Sequence, residues 1–328
     1  MAARKLPGPW TFPERTKNVL ICCGEALIDM IPAPTVEGPN GFVPHDGGAI
    51  FNTAIALGRL GRPCSMVSGI SNDLFGAQLV KGLTASGVET DLLMRSDQPT
   101  TLAFVTLVEG KASYLFYDEA SAGRMIAPKD LPDLPAEAEA LYFGGISLAS
   151  EPGADTYAAL CAREAGSRVV MIDPNIRPSF IQDEDRYRAR LEKMMALADI
   201  VKISDEDLSW LRPDATSMDE AAFGLCRAGA GVVILTRGSE GASAYYDMTR
   251  SLHVAARKAE VADTVGAGDT FNAGVLCSLS ENGLLTKEAL REISSEDLCE
   301  ALDFGARVAA VTVSRAGANP PWRHELTE

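Results

Sequence analysis

Several kinds of chemistry are poorly supplied in this sequence. Only three histidines occur, His45, His253 and His324, and none is spaced like a metal-ligand pair. There are seven cysteines, an odd number, with no C-x-x-C spacing. Several sit inside apolar runs, so they read as reduced core thiols in a reducing, cytoplasmic compartment rather than as a disulfide framework. Basic residues are in deficit: 30 Lys and Arg against 45 Asp and Glu give a formal net charge of −15. Such a surface argues against a nucleic-acid partner, which needs a basic face. No apolar run approaches bilayer length, and no apolar segment follows Arg4 and Lys5 in the stretch Met1 to Arg15. Neither a membrane span nor a secretory signal is therefore expected.

What is present is ordinary globular material, 46% hydrophobic and 23% charged over 328 residues. Val19 to Cys23 is a short apolar run that reads as a buried strand. Ile31 to Asp46, with four prolines, reads as loop. Asn52 to Leu60 has apolar residues at helical spacing and stops at Gly61. Cys64 to Ser68 predicts a strand and Phe75 to Ala85 a helix. Thr101 to Val108 and Ala112 to Tyr117 form strand-like runs around Glu109-Gly110-Lys111, a hairpin signal with no helix between. Beyond Pro128, strands are expected at 140–143, 168–172, 200–203 and 232–235 with helical patterns between them. A late hairpin follows at 242–246 and 252–254, then helices from Asp269 to Arg315. Repeated strand–helix units predict an α/β fold: a doubly wound, mainly parallel sheet with helices on both faces. With no repeat and no linker, residues 1–328 read as one domain carrying a small β flap, or lid, from 31–46 and 92–120.

Two glycine-bearing segments open helices. Asp263-Thr264-Val265-Gly266-Ala267-Gly268-Asp269 precedes a long helical pattern. Glycines let successive N–H groups face one point, and a helix start adds the positive end of its dipole. Such a nest suits a phosphoryl group, with Asp269 placed to accept a proton from a hydroxyl. The plainer alternative is an aspartate capping a helix. Gly47-Gly48-Ala49-Ile50-Phe51-Asn52 opens the earlier helix. Its Asn52 offers a donor and an acceptor to sugar hydroxyls, or simply caps a helix.

Together these two segments resemble the paired signatures of the ribokinase-like, or PfkB-type, carbohydrate kinase family. Gly24-Glu25-Ala26-Leu27-Ile28-Asp29 is similar to that family's first strand end, and Asp173-Pro174-Asn175-Ile176-Arg177 to its D-x-N-x-R element. Thr236-Arg237-Gly238-Ser239-Glu240-Gly241 is similar to its nucleotide loop. The five matches occur in the family's order. The resemblance implies an ATP-dependent sugar kinase with Asp269 as base and with Gly266, Ala267 and Gly268 as anion-hole amides. Arg177 would sit near the phosphoryl path, with a surface ion pair as its alternative. Asp29, Gly48 and Asn52 would bind the sugar, and Phe104 and Tyr117 would pack on it. Ser204, Thr236, Gly238, Gly241 and Gly268 would hold the nucleotide phosphates. Gly305, Val308 and Ala309 would border the adenine or simply pack helices. Where the family has N-x-x-E serving Mg²⁺, this chain has Ser204-Asp205-Glu206-Asp207, so Asp207 takes the carboxylate position. A K⁺ site is implied at the carbonyls of Asp263, Val265, Thr312, Arg315 and Gly317. Flap-mediated dimers in similar proteins imply a homodimer as one mode of assembly.

Within the family, the runs 201–206 and 315–321 look most like bacterial fructokinases. The rival is 2-keto-3-deoxygluconate kinase, whose acidic substrate wants a cation in the flap. Here Asp118 and Glu119 follow the flap aromatics, which favours a neutral sugar. A catalytically silent sugar-binding protein is the alternative of another class, and loss of the base would be its mark.

Overall fold

A computed structural model describes residues 18–36, 38–108 and 111–326; the Met1 to Arg15 stretch and the Glu109-Gly110 turn lie outside the described residues. The chain begins β1 (Val19–Cys23), β2 (Leu27–Ala33), β3 (Gly41–Gly47), α1 (Ala49–Arg59), β4 (Cys64–Val67), β5 (Gly69–Ser71), α2 (Leu74–Ala85) and β6 (Met94–Ser96). It continues β7 (Leu102–Val108), β8 (Lys111–Tyr117), β9 (Ala138–Gly144), α3 (Gly153–Glu164), β10 (Val169–Asp173), α4 (Glu184–Leu197), β11 (Ile200–Ser204) and α5 (Asp205–Leu211). Then come α6 (Met218–Arg227), β12 (Val232–Thr236), β13 (Ala242–Tyr246), β14 (Arg250–Val254), α7 (Ala267–Glu281), α8 (Lys287–Arg291) and α9 (Ser295–Val313).

Eight strands form the main sheet in the order β14-β13-β12-β11-β10-β9-β1-β4. From β4 to β12 every pairing is parallel, and β13 and β14 add antiparallel at one edge. The central strands are apolar almost without interruption because both faces are covered. Along β1, Leu20 and Cys22 enter the core beneath α1, α2, α7 and α9, while Ile21 and Cys23 enter the core beneath α3 to α6. Six of the cysteines are buried, Cys299 is exposed, and all seven are free thiols. Among the described residues, no helix is long and apolar enough to cross a membrane.

A separate four-stranded sheet has the order β3-β2-β7-β8. Here the loop expected over 31–46 is corrected: β2 and β3 pair antiparallel from Leu27↔Gly47 to Ala33↔Gly41. The prolines misled because they sit where no ladder donor is needed. Pro44 lies on the edge strand β3, and Pro32 lies beyond Met30, where the β2–β7 pairing ends.

A parallel sheet presents its ligand-binding groups at the carboxyl ends of its strands. At that end the main sheet delivers Glu25 just after β1, Asp173 at the end of β10, Ser204 at the end of β11 and Thr236 at the end of β12. The small sheet begins at the same edge, with β2 leaving directly from the β1 exit.

Candidate active site

Asp269 is the third residue of α7, whose N-cap Gly266 has φ 77° and supplies no side-chain cap. Ala267 N–H makes a long bond of 3.3 Å to Thr264 O, and Thr270 N–H bonds Gly266 O at 2.9 Å. The N–H groups of Gly266, Gly268 and Asp269 have no protein acceptor among the described residues. One of the three expected anion-hole amides, that of Ala267, is thus in an internal turn, while the Asp269 amide, not among those three, is unpaired among the described residues. Unpaired N–H groups at a helix start attract an anion.

Asp269 is 7% exposed, and its carboxylate accepts a hydrogen bond from Asn52 Nδ2 at 2.8 Å. Thr53 Oγ1, one residue on in α1, stands 3.1 Å from the Asp269 carbonyl oxygen. Burial pushes the Asp269 carboxyl up to about 7; the Asn52 bond and the Lys202 charge oppose that rise, and the charges of Asp173 and Glu25 add to it. A carboxylate poised there exchanges a proton near neutral pH.

Beneath it lies a buried polar set. Lys202 Nζ donates to Asp173 Oδ2 at 2.9 Å, and Asn272 Nδ2 donates to that oxygen and to Tyr142 Oη, both at 2.8 Å. Asp173 Oδ1 is buried with no hydrogen-bond partner. A Cβ placed on Gly268 would lie 3.3 Å from Lys202 Nζ, so the ammonium stands beside the start of α7. Sequence reasoning assigned Lys202 no role. The available signal was a lysine inside the buried run Val201-Lys202-Ile203, because a buried cation needs a partner.

Asp29 sits in β2, paired with Ala103 of β7 and His45 of β3. Burial alone raises its carboxyl to about 6. A Cβ on Gly47 would lie 2.1 Å from Asp29 Oδ2, so the carboxylate lies directly over that glycine, next to Gly48 at the N-cap of α1. Asp29 and the Asn52–Asp269 pair are therefore joined through the Gly47-Gly48 turn.

Phe104 and Tyr117 lie on the face of the small sheet opposite Asp29. Phe104 pairs with Met30 and Leu115, and Tyr117 pairs with Leu102, so both point away from the face of Asp29 and Ala103. There Phe104 makes edge-on contacts with Phe42 and Tyr117. Alternation decides this, since neighbours in a strand face opposite sides. Tyr114 and Phe116 share the face of Asp29, and the Phe116 ring meets Phe180, beyond the D-x-N-x-R element, at 4.2 Å between centroids. Asp118 is occupied by Arg124 at 3.0 Å, so it is a paired carboxylate.

Arg177 is exposed, donates to Ile176 O at 3.1 Å, and has no ion-pair partner among the described residues. Ser204 caps α5, its hydroxyl accepting from Asp207 N–H at 3.0 Å. One Asp207 oxygen accepts from Ile176 N–H at 3.2 Å, and burial raises that carboxyl, reinforced by the Asp173 charge. Among the described residues no cluster of three or more His, Cys, Asp or Glu could form a protein metal cage. Thr236 ends β12, and Gly238 and Gly241 bracket a short turn between β12 and β13. Gly305 lies at the crossing of α9 on α7, its Cα 2.6 Å from where a Cβ on Gly274 would be. Val308 is in the core and Ala309 is half-buried. Asp263 bonds the N–H groups of Val265 and Gly317, drawing the segment before α7 against the loop after α9, where Thr312 O and Gly317 O already accept from Arg315 and Asn319.

With this geometry in place, comparison with known proteins is direct. The profile of the pfkB family carbohydrate kinases matches residues 17–325. A fructokinase of Rhizobium leguminosarum bv. trifolii is 50% identical over 280 residues, 85% of each chain. A probable chloroplastic fructokinase-6 of Arabidopsis thaliana is 34% identical over 92% of this chain and 79% of its own. The structure of a Xylella fastidiosa fructokinase with bound ATP superposes with a TM-score of 0.84 at 30% identity, covering 92% of this chain and 94% of that one.

Proposed function

The chain belongs to the pfkB family of carbohydrate kinases, and from that premise we propose that it transfers the γ-phosphate of ATP to fructose, giving fructose 6-phosphate. One observation carries the chemistry: a buried carboxyl, Asp269, raised to about 7 and standing at a helix start with unpaired amides. The sugar hydroxyl lies between Asp269 and the phosphoryl group. Its oxygen bonds to the γ-phosphorus as the bond to the ADP oxygen breaks, and Asp269 takes the hydroxyl proton. The amides of Gly266, Gly268 and Asp269 receive the charge on the migrating group, with the α7 dipole behind them. Lys202 adds positive charge beside Gly268, and Arg177, free of a carboxylate, can swing to the transferring group.

Asp29, Gly48 and Asn52 hold the sugar, with Tyr114 and Phe116 above it in place of Phe104 and Tyr117. Ser204, Thr236, Gly238 and Gly241 take the nucleotide phosphates. Mg²⁺ would be held mainly by phosphates and water with Asp207 in support, since among the described residues no cluster forms a protein cage and the Ile176 amide engages only one Asp207 oxygen. When bound, it neutralises phosphate charge. K⁺ fits beside α7, where Asp263 joins the two carbonyl-bearing segments. The exposed apolar residues Phe42, Leu115 and Tyr117 on one face of the small sheet suit pairing with a second copy. A cytoplasmic setting suits the free thiols.

The test is ADP release with a panel of sugars, ATP and Mg²⁺. The expected result is the highest kcat/KM for fructose. A higher value for 2-keto-3-deoxygluconate overturns the substrate, and sugar binding without turnover overturns the activity.

A further inference from the structure

The start of α1 has no side-chain cap of its own and no acidic residue in its first turn. Its cap comes from outside the helix. Glu25 Oε1 accepts from Ala49 N–H at 3.1 Å, and the Glu25 carbonyl accepts from Phe51 N–H at 3.2 Å. The other carboxylate oxygen is held by Ser147, from the hydroxyl at 2.6 Å and the N–H at 3.3 Å. Two glycines make room for this side chain. A Cβ on Gly145, where φ is +68°, would stand 2.0 Å from Glu25 Oε1, and one on Gly48 would stand 2.9 Å from the Glu25 carbonyl oxygen. The carboxylate is 8% exposed, and burying one at that depth is costly unless its bonds matter. The helix start it secures leads directly into Asn52 and Thr53, which both bond to Asp269.

We infer that Glu25 is a positioning residue for catalysis: its buried carboxylate ties the exits of β1 and β9 to the start of α1 and so holds Asn52 against Asp269. The inference rests on the reading of Asp269 as base. The Glu25 charge acts only weakly on the Asp269 carboxyl through space, and its hydrogen bonds act through α1, so most of its loss is felt in kcat when Asn52 is present and little of it when Asn52 is gone. A merely structural role would lower both backgrounds alike.

The experiment is a double-mutant cycle on kcat with Glu25→Gln and Asn52→Ala, with KM for ATP and thermal midpoint measured alongside. Each single variant is expected to lose roughly 10-fold in kcat, and the double variant to stay within about 2-fold of Asn52→Ala. KM for ATP is expected to stay unchanged. Losses that multiply, or wild-type kcat in either single variant, overturn the inference. Should Glu25→Gln not fold, Ser147→Ala replaces it, freeing one side of the carboxylate while keeping the charge. That variant is expected to lose about 3-fold in kcat in the wild-type background and nothing beside Asn52→Ala; equal losses in both overturn the inference. Wild-type kcat in Asp269→Asn would instead overturn the proposed function.

Discussion

The helices α1 and α7 begin alike and end up with opposite roles. Each opens on a glycine with positive φ, 105° at Gly48 and 77° at Gly266, and neither N-cap has a side chain to offer. At α1 the amides of Ala49 and Phe51 are taken up by Glu25, through its carboxylate and its carbonyl. A second anion there would meet a resident negative charge. At α7 three amides are without protein acceptors among the described residues, and a lysine ammonium stands alongside. The same local backbone therefore gives one start tied to a buried carboxylate and one whose amides remain open to an anion. The difference lies in what the rest of the fold brings to each amide cluster.

That contrast can be broken most sharply at α7. Asp269→Asn keeps the size and the bond from Asn52 but removes the proton acceptor. It should lower kcat by about 10³-fold while sugar KM moves less than about 3-fold, as read by steady-state kinetics. Parallel loss of folding would instead make Asp269 a structural cap.

The acidic limb of the pH–rate profile follows from the same group. With the Asp269 carboxyl near 7, kcat/KM should fall as pH drops through that value, because the protonated acid cannot accept the hydroxyl proton. Stability runs the other way. The folded value lies above the ordinary carboxyl value of 3.8, so the folded state binds the extra proton between those two limits. Stability is therefore lost as pH rises through that window, by on the order of a few kcal/mol, and the penalty is complete above about 7. Asp269→Asn should consequently raise the thermal midpoint at pH 8, with the gain shrinking toward pH 4. A gain independent of pH would contradict this.

At α1 the expected effects are smaller and fall on binding. Gly47→Ala would place a Cβ 2.1 Å from Asp29 Oδ2 and displace that carboxylate, raising sugar KM by about 10-fold with kcat less affected. The smallest effect separates the two faces of the small sheet. Tyr114→Ala should raise sugar KM by about 3-fold and Phe104→Ala should leave it unchanged. The reverse order would restore Phe104 to the sugar site.

Much of this molecule was legible in the residues. The apolar runs at 19–23, 200–203 and 232–235 and the glycine stops gave the strand–helix alternation of the main sheet. The ordered glycine segments gave the family. Three things were not legible. The prolines of 31–46 concealed two strands, because edge positions tolerate a missing donor and a sequence does not display its edges. The face of Phe104 and Tyr117 was hidden because a strand's aromatic content is visible while its register, which chooses the face, is not. Lys202 passed unassigned because its partner Asp173 lies on another strand, 29 positions away.

Local chemistry is set by the sequence alone: which segments are apolar on both faces, where glycine allows a helix to start abruptly, and that Asn52 follows one such start and Asp269 the other. Only the tertiary structure decided which of those starts is sealed and which is open. Whether an amide is free depends on acceptors supplied from elsewhere in the chain: Glu25 reaches two amides of α1, and no distant acceptor among the described residues reaches those of α7. Such partners are fixed by packing, not by spacing.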